Sequence, residues 1–255
     1  MTNYLKYIFM LSLVMFSFYY TDRIIEYSKN NNTILASINN YAKENDTYCE
    51  EGELSQNGII LGLSGLIVDK NKSYSNMKGS IFNEKLIEYK KDECITSKEN
   101  NINNYIISGN KINKNISLVI DTNNLKYYKN MIQIFNDKNI DYNLLINDNF
   151  EEKDYKNILY KGKNIKQALK KYKNIYCVKT NNYQIINDCK KYKINSIKIT
   201  NYIDNNLLLN TKKILNNGII IFIKESDLNL QELSSTINYI LSRGYKIVNI
   251  DKLLS

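Results

Sequence analysis

The order of apolar segments predicts an α/β fold whose core is a parallel sheet, curled into a small or distorted (β/α) barrel. Three observations carry this. From Ile116 onward, short apolar runs alternate with helix-length amphipathic stretches, the signature of repeated βα units. The runs are apolar at nearly every position, as strands covered on both faces must be. No Gly-rich phosphate loop follows any of them, so a nucleotide site has no support, although an open doubly wound sheet remains the alternative architecture.

The elements follow in order. Residues 7–20 (YIFMLSLVMFSFYY) are uncharged and mostly apolar, between Lys6 and the pair Asp22 and Arg23. A membrane-spanning helix needs about 17–25 residues, so the run approaches that length only with Tyr4, Leu5 and a snorkelling Lys6 added. It ends in Phe18, Tyr19 and Tyr20, with no small-x-small cleavage site, which favours an uncleaved signal anchor over residues 1–24 rather than a cleaved signal peptide. Lys6 points the N-terminus to the cytoplasm and Arg23 weakens that bias, so the expectation is a single-pass cell-membrane protein with its C-terminal domain outside. Residues 25–114 read as a stalk helix, marked by Ile34, Leu35, Ile38 and Tyr41, and a small accessory α+β region. That region carries a strand at 58–65, a short helix at 72–79 and an extended piece at 85–89. The main domain covers 115–255, with strands at 116–120, 142–146, 158–160, 175–178, 196–199, 219–223 and 246–250. The helices between them show apolar faces at Leu125, Tyr128, Ile132 and Phe135, at Ile165 and Leu169, at Ile185, Ile186 and Cys189, and at Leu230, Leu233, Ile237, Ile240 and Leu241.

Composition then removes whole classes of chemistry. The 255 residues contain no His, so a Ser-His-Asp triad, a Cys-His pair and a His-ligated zinc or haem are excluded. The net charge of +9 would suit nucleic acid or another polyanion, but the lysines are scattered and accompany a general drift toward Asn, Lys, Ile and Tyr, which points to a solvated surface and no nucleic-acid partner. The four cysteines, Cys49, Cys94, Cys177 and Cys189, form no C-x-x-C motif and allow three pairings. Chain order and domain organisation favour Cys49 with Cys94 and Cys177 with Cys189, and two disulfides fit an extracellular location.

Residues 116–124 (ISLVIDTNN) resemble the first motif of the polysaccharide deacetylase family, the NodB-homology domain, where a strand ends in two consecutive aspartates. Residues 218–254 resemble the last strand and helix of that family, and residues 62–79 and 105–110 resemble membrane-anchored ectodomains that carry the domain in some Gram-positive-like bacteria. The likeness covers most of the chain past residue 57. It implies a (β/α) barrel of the carbohydrate deacetylase type. It also implies a divalent metal held by one Asp and two His, whose water attacks an N-acetyl carbonyl, with a second Asp as base and a late His as acid. By the match, Asp121 takes the base position and Thr122 stands in place of the metal-binding Asp. The His-x-x-x-His segment falls near residues 158–163 (ILYKGK), and Lys224, followed by Glu225, takes the late His position. The expectation is therefore a protein with no metal cofactor, catalytically inactive, held by its N-terminal helix at the membrane and binding a cell-wall glycan or a protein partner. The alternative is an active N-acetyl-glycan deacetylase with a rearranged site of Asp121, Lys224 and Glu225. Read from the residues alone, Asp121 caps a helix or ends a strand, and Lys224 with Glu225 is a solvated ion pair.

Overall fold

The computed structural model describes residues 2–30, 33–78, 80–123, 125–152, 155, 157–172, 174–179 and 183–255. In chain order the elements are α1 (Thr2–Asn30), α2 (Thr33–Asn45), β1 (Glu53–Ser55), β2 (Gly58–Ile60), β3 (Gly65–Val68), α3 (Lys70–Met77), a 3-10 turn (Glu84–Leu86), β4 (Tyr89–Asp92), β5 (Tyr105–Ser108) and β6 (Asn115–Asp121). Then come α4 (Tyr128–Asp137), β7 (Asn143–Ile146), β8 (Ile158–Tyr160), α5 (Ile165–Lys171), β9 (Ile175–Val178), α6 (Tyr183–Lys191), β10 (Ser196–Ile197) and β11 (Tyr202–Ile203). The chain finishes with α7 (Leu207–Ile214), β12 (Ile220–Lys224), α8 (Asp227–Ser242), β13 (Lys246–Ile247) and α9 (Ile250–Leu253). Two compact units result, one of Met1–Tyr48 with Gly65–Asp92, the other of Cys49–Ser64 with Glu93–Ser255.

In the first unit α1 leaves Tyr7, Ile8, Phe9, Met10, Leu11, Phe16 and Phe18 exposed. The expected membrane span is not supported: among the described residues no helix is long and apolar enough to cross a membrane. Lys6 on one side and Asp22 and Arg23 on the other cut the uncharged run below the length a bilayer core requires. The expected stalk is a packed amphipathic helix, since α2 buries Ile38 and Ala42, one turn apart, against Val68 and Met77. β3 and β4 pair antiparallel, and α3 starts at Asp69, whose carboxylate accepts from the Lys72 amide at 3.1 Å. The extended piece expected at 85–89 is a 3-10 turn followed by β4.

The second unit carries the parallel sheet that the sequence predicts, curled into a half-barrel rather than a closed one. Strand order is β1-β2-β5-β10-β9-β8-β7-β6-β12-β11, with β13 on the far end of β6. Every pairing except the β1–β2 hairpin is parallel. Strict alternation along the strands sorts their side chains into two layers. Leu118, Ile120, Leu144, Ile146, Ile158, Tyr160, Cys177, Ile221 and Ile223 face the helices, where they meet Met131, Phe135, Ile165, Leu233, Ile237 and Ile240. Val119, Leu145, Leu159, Val178, Ile197, Ile220 and Phe222 line the inner face, closed below by Ile250, Leu253 and Leu254 of the C-terminal segment.

The helices start and stop as local chemistry dictates. Asn164 and Ser226 cap α5 and α8 through the amides of Gln167 and Asn229, and Gly244, at φ 79°, takes the left-handed position that ends α8. Three helical faces differ from expectation, the third because Leu241, expected beside Ile237 and Ile240, is exposed at the end of α8. Leu125 lies before α4 at φ 54° and is exposed, so Met131 takes its place in the buried stripe. Leu169 is exposed and Ala168 is buried beside Ile165, because a helix of two turns has room for one narrow apolar seam. Both expected disulfides form, Cys49–Cys94 with Cα atoms 5.4 Å apart and Cys177–Cys189 with Cα atoms 6.4 Å apart. The second ties β9 to α6 within the helix-facing layer; the side chains of Ile185 and Ile186 lie outside the described residues.

Candidate functional site at the carboxyl end of the sheet

Asp121 is the last residue of β6 and lies on the inner face, two positions beyond Val119. In register beside it stand Lys224 on β12 and Leu145 on β7, and Leu145 in turn pairs with Leu159 on β8. Two residues past Leu159, again on the inner face, comes Lys161. Neighbouring strands are about 4.8 Å apart, so the stem of Lys161 has to reach across β7, roughly 10 Å, to meet Asp121. It does so. Lys161 Nζ lies 2.6 Å from Asp121 Oδ1, with only 19% and 4% of the two side chains exposed. The other oxygen, Oδ2, accepts from Tyr202 Oη at 2.9 Å and from Asn123 Nδ2 at 3.2 Å. Asp121 therefore ends a strand, as one reading of the residues expects, and among the described residues its carboxylate bonds to no backbone amide but is held by an ammonium, a phenol and a side-chain amide.

The loop that aims Lys161 is firmly built. The Lys161 amide donates to Ile146 O at 2.9 Å, which extends the β7–β8 ladder by one rung. Asp148 then accepts from the Lys163 amide at 2.7 Å, the Asn164 amide at 3.3 Å and the Tyr160 hydroxyl. Burial alone would raise the Asp148 carboxyl, and these donors more than offset it, leaving the group below its usual range. Gly162 lies against this cluster: a Cβ there would sit 2.5 Å from the Tyr160 hydroxyl and 2.7 Å from Asp148 Oδ1, so a larger residue would displace those two side chains. Tyr202 is part-exposed on β11. Burial, and then the adjacent Asp121 charge, push its phenol above the ordinary tyrosine value, which keeps it a proton donor to the carboxylate.

The remaining sequence-predicted residues lie nearby without joining this group. Thr122 is buried, and its hydroxyl donates into the sheet, to Leu145 O at 3.0 Å. Lys224 turns to Asp204, 3.1 Å away, in an ion pair whose side chains are 48% and 61% exposed. Glu225 is buried and faces away from Lys224, its Oε1 accepting from the backbone amides of Lys126 and Tyr127, which clamps the loop before α4. Asp121, Lys224 and Glu225 thus form no single constellation. Lys161 and Tyr202 are the site residues that sequence reasoning missed. The signal for Lys161 was present, since it is the first residue after an apolar strand in the very segment matched to the histidines; Tyr202 is one of 22 tyrosines and carried none.

No family model and no curated protein matches the sequence. Solved structures do. A CE4 family pseudoenzyme from Bacillus anthracis superposes with a TM-score of 0.54 at 15% identity, over 88% of this chain and 96% of that one. The chain has a polysaccharide deacetylase-like fold. A mutant of the same pseudoenzyme, described as having restored enzymatic activity, gives a TM-score of 0.53 at 15% identity over 88% and 98% of the two chains. A family 4 carbohydrate esterase from Bacillus subtilis also aligns, at 13% identity and TM-score 0.48 over 58% of this chain and 84% of that one.

The divalent metal implied by the family does not fit these residues. A metal would have to lie about 2.0–2.2 Å from a carboxylate oxygen, and both oxygens of Asp121 already hold donors. Thr122 supplies a hydroxyl committed to the sheet, residues 158–163 carry neither a carboxylate nor an imidazole, and the chain has no His at all. Among the described residues one group of three potential metal-ligating residues occurs, Cys49, Glu51 and Cys94, and its two sulfurs are joined in a disulfide.

Proposed function

We propose that this chain is a deacetylase-fold protein without deacetylase activity, which works outside the cytoplasm and holds a cell-envelope glycan at the carboxyl end of its sheet. The observation that carries the reading is the Lys161–Asp121 pair. The carboxylate that would serve as base is bound to an ammonium on one oxygen and to Tyr202 and Asn123 on the other, so three of its about four lone-pair positions are already committed to neighbours. The likeness in fold to a pseudoenzyme supports it, as do two disulfides, which persist in oxidising compartments. The rearranged active site of Asp121, Lys224 and Glu225 gains no support, because Lys224 and Glu225 point to different partners. The exposed, uncharged apolar run of α1 supports contact of this helix with lipid, with Lys6 at the headgroups.

Co-sedimentation of the full chain with insoluble peptidoglycan and with chitin tests the glycan reading. Retention on either polymer, weakened in Tyr202→Ala, is expected, because Tyr202 offers a part-exposed ring and hydroxyl at the mouth of the sheet. Absence of retention on both would refute it. Recovery of the full chain with the membrane pellet, and its loss to the supernatant in a Phe9→Asp/Phe16→Asp variant, is the corresponding expectation for α1.

A further inference from the structure

We infer that Lys161 is the resident cation of this site: its tethered ammonium supplies the countercharge that the buried Asp121 carboxylate requires, and makes the site metal-independent. The inference rests on geometry alone and does not depend on which ligand the protein binds. A carboxylate as buried as Asp121 needs a countercharge, because leaving it unpaired costs several kcal/mol, a large part of a domain's net stability. Three cations could in principle supply it: a metal ion, Lys224 in register on the neighbouring strand, or Lys161 two strands away. The chain uses the most distant one. Lys224 is spent on Asp204 at the exposed rim, and the Lys161 side chain crosses β7 to sit 2.6 Å from Oδ1.

The surroundings are built around that choice. The Gly162 turn, the three donors to Asp148 and the added ladder rung from Lys161 to Ile146 fix where the lysine stem leaves the strand. Tyr202 and Asn123 then fill the second carboxylate oxygen. The neighbouring residues offer a metal no further ligand, since the Thr122 hydroxyl is bound to the sheet and residues 158–163 carry neither imidazole nor carboxylate. An ammonium has one further property a metal lacks: it cannot be removed by chelation. Of its three N–H bonds, one is taken by Asp121 among the described residues, which leaves two for solvent or for an acceptor oxygen of a ligand at the mouth.

The test uses the full chain, stripped with EDTA, in two arms. In the first, calorimetric titration of the wild-type protein with zinc, cobalt and nickel chloride should give the same weak heats as the Asp121→Asn variant. A tight one-to-one site that Asp121→Asn abolishes would overturn the inference. In the second arm, urea denaturation follows Lys161→Met, Asp121→Asn and the double variant, with EDTA and with excess zinc. Lys161→Met should lower the folding constant roughly 100-fold, because it strands a buried carboxylate, and Asp121→Asn in the Lys161→Met background should recover most of that loss. Additive effects of the two substitutions would refute the pairing. Should Lys161→Met not fold, Lys161→Arg, which keeps the charge, is expected to fold with a folding constant within about tenfold of wild type; failure of that variant too would mean that shape rather than charge holds the site.

Discussion

Two ion pairs stand side by side at the carboxyl end of one sheet, on strands that are direct neighbours, and they do different work. Asp121–Lys161 is almost sealed from water and carries two further hydrogen bonds to the carboxylate, whereas Lys224–Asp204 lies at the rim and is open to solvent. The residue types are the same; the burial is not. Partners in the first pair depend on each other because either charge alone would be desolvated without compensation. Partners in the second can each be satisfied by water, so their pairing contributes little. The difference teaches which lysine matters to the fold, and the sequence match had pointed to the other one.

The largest effect should come from breaking the buried pair. Lys161→Met is expected to cost about 3 kcal/mol, at the lower end for a severed buried pair because the lysine keeps some solvent contact. Equilibrium urea denaturation measures it, and a cost under about 1 kcal/mol would erase the contrast between the pairs. Tyr202→Phe removes a single donor to Asp121 and should cost about 1 kcal/mol by the same measurement. A smaller loss comes from Glu152, which accepts from Lys129 Nζ at 2.8 Å and Tyr128 Oη at 2.6 Å and has an intermediate exposure. Those partners, Lys129 first and then Tyr128, lower its carboxyl from 4.5 to about 2. Because the folded-state value is depressed, the stabilisation is complete above about pH 4.5 and fades as pH falls toward about 2. The stability difference between wild type and Glu152→Gln should shrink across that window, and a difference independent of pH would contradict it. Lys224→Met should be the mildest, within about 0.5 kcal/mol of wild type and insensitive to loss of Asp204.

Much of the fold was legible because it rests on periodicity. Apolar runs such as 116–120, 158–160 and 175–178 become parallel strands at those positions, and the even cysteine count with chain order gives both disulfides. What could not be read is what depends on distance across the sheet. Strands β2 and β5, which extend the main sheet from the region before residue 115, are short, and nothing local tells that β5 pairs with β10 and β2 with β5. The site failed for the same reason. Asp121 was visible as a carboxylate at a strand end, but besides the nearby Asn123 its partners lie 40 and 81 residues away, just past β8 and on β11. Glu225 was legible as a residue and not as a clamp, since its two amide donors lie 99 and 98 residues earlier in the chain. The N-terminal run was overread: its hydrophobicity is real and exposed, yet its length falls short of a span.

The central claim is that an ammonium has replaced metal chemistry in a polysaccharide deacetylase-like fold, and acetate release tests it most directly. The full chain would be incubated with chitin oligomers and with peptidoglycan in the presence of zinc, cobalt or manganese, and free acetate followed over time beside the Asp121→Asn variant. The account predicts acetate no faster than the protein-free control in every mixture, with wild type and variant indistinguishable. Metal-dependent release by the wild type that Asp121→Asn abolishes would contradict it.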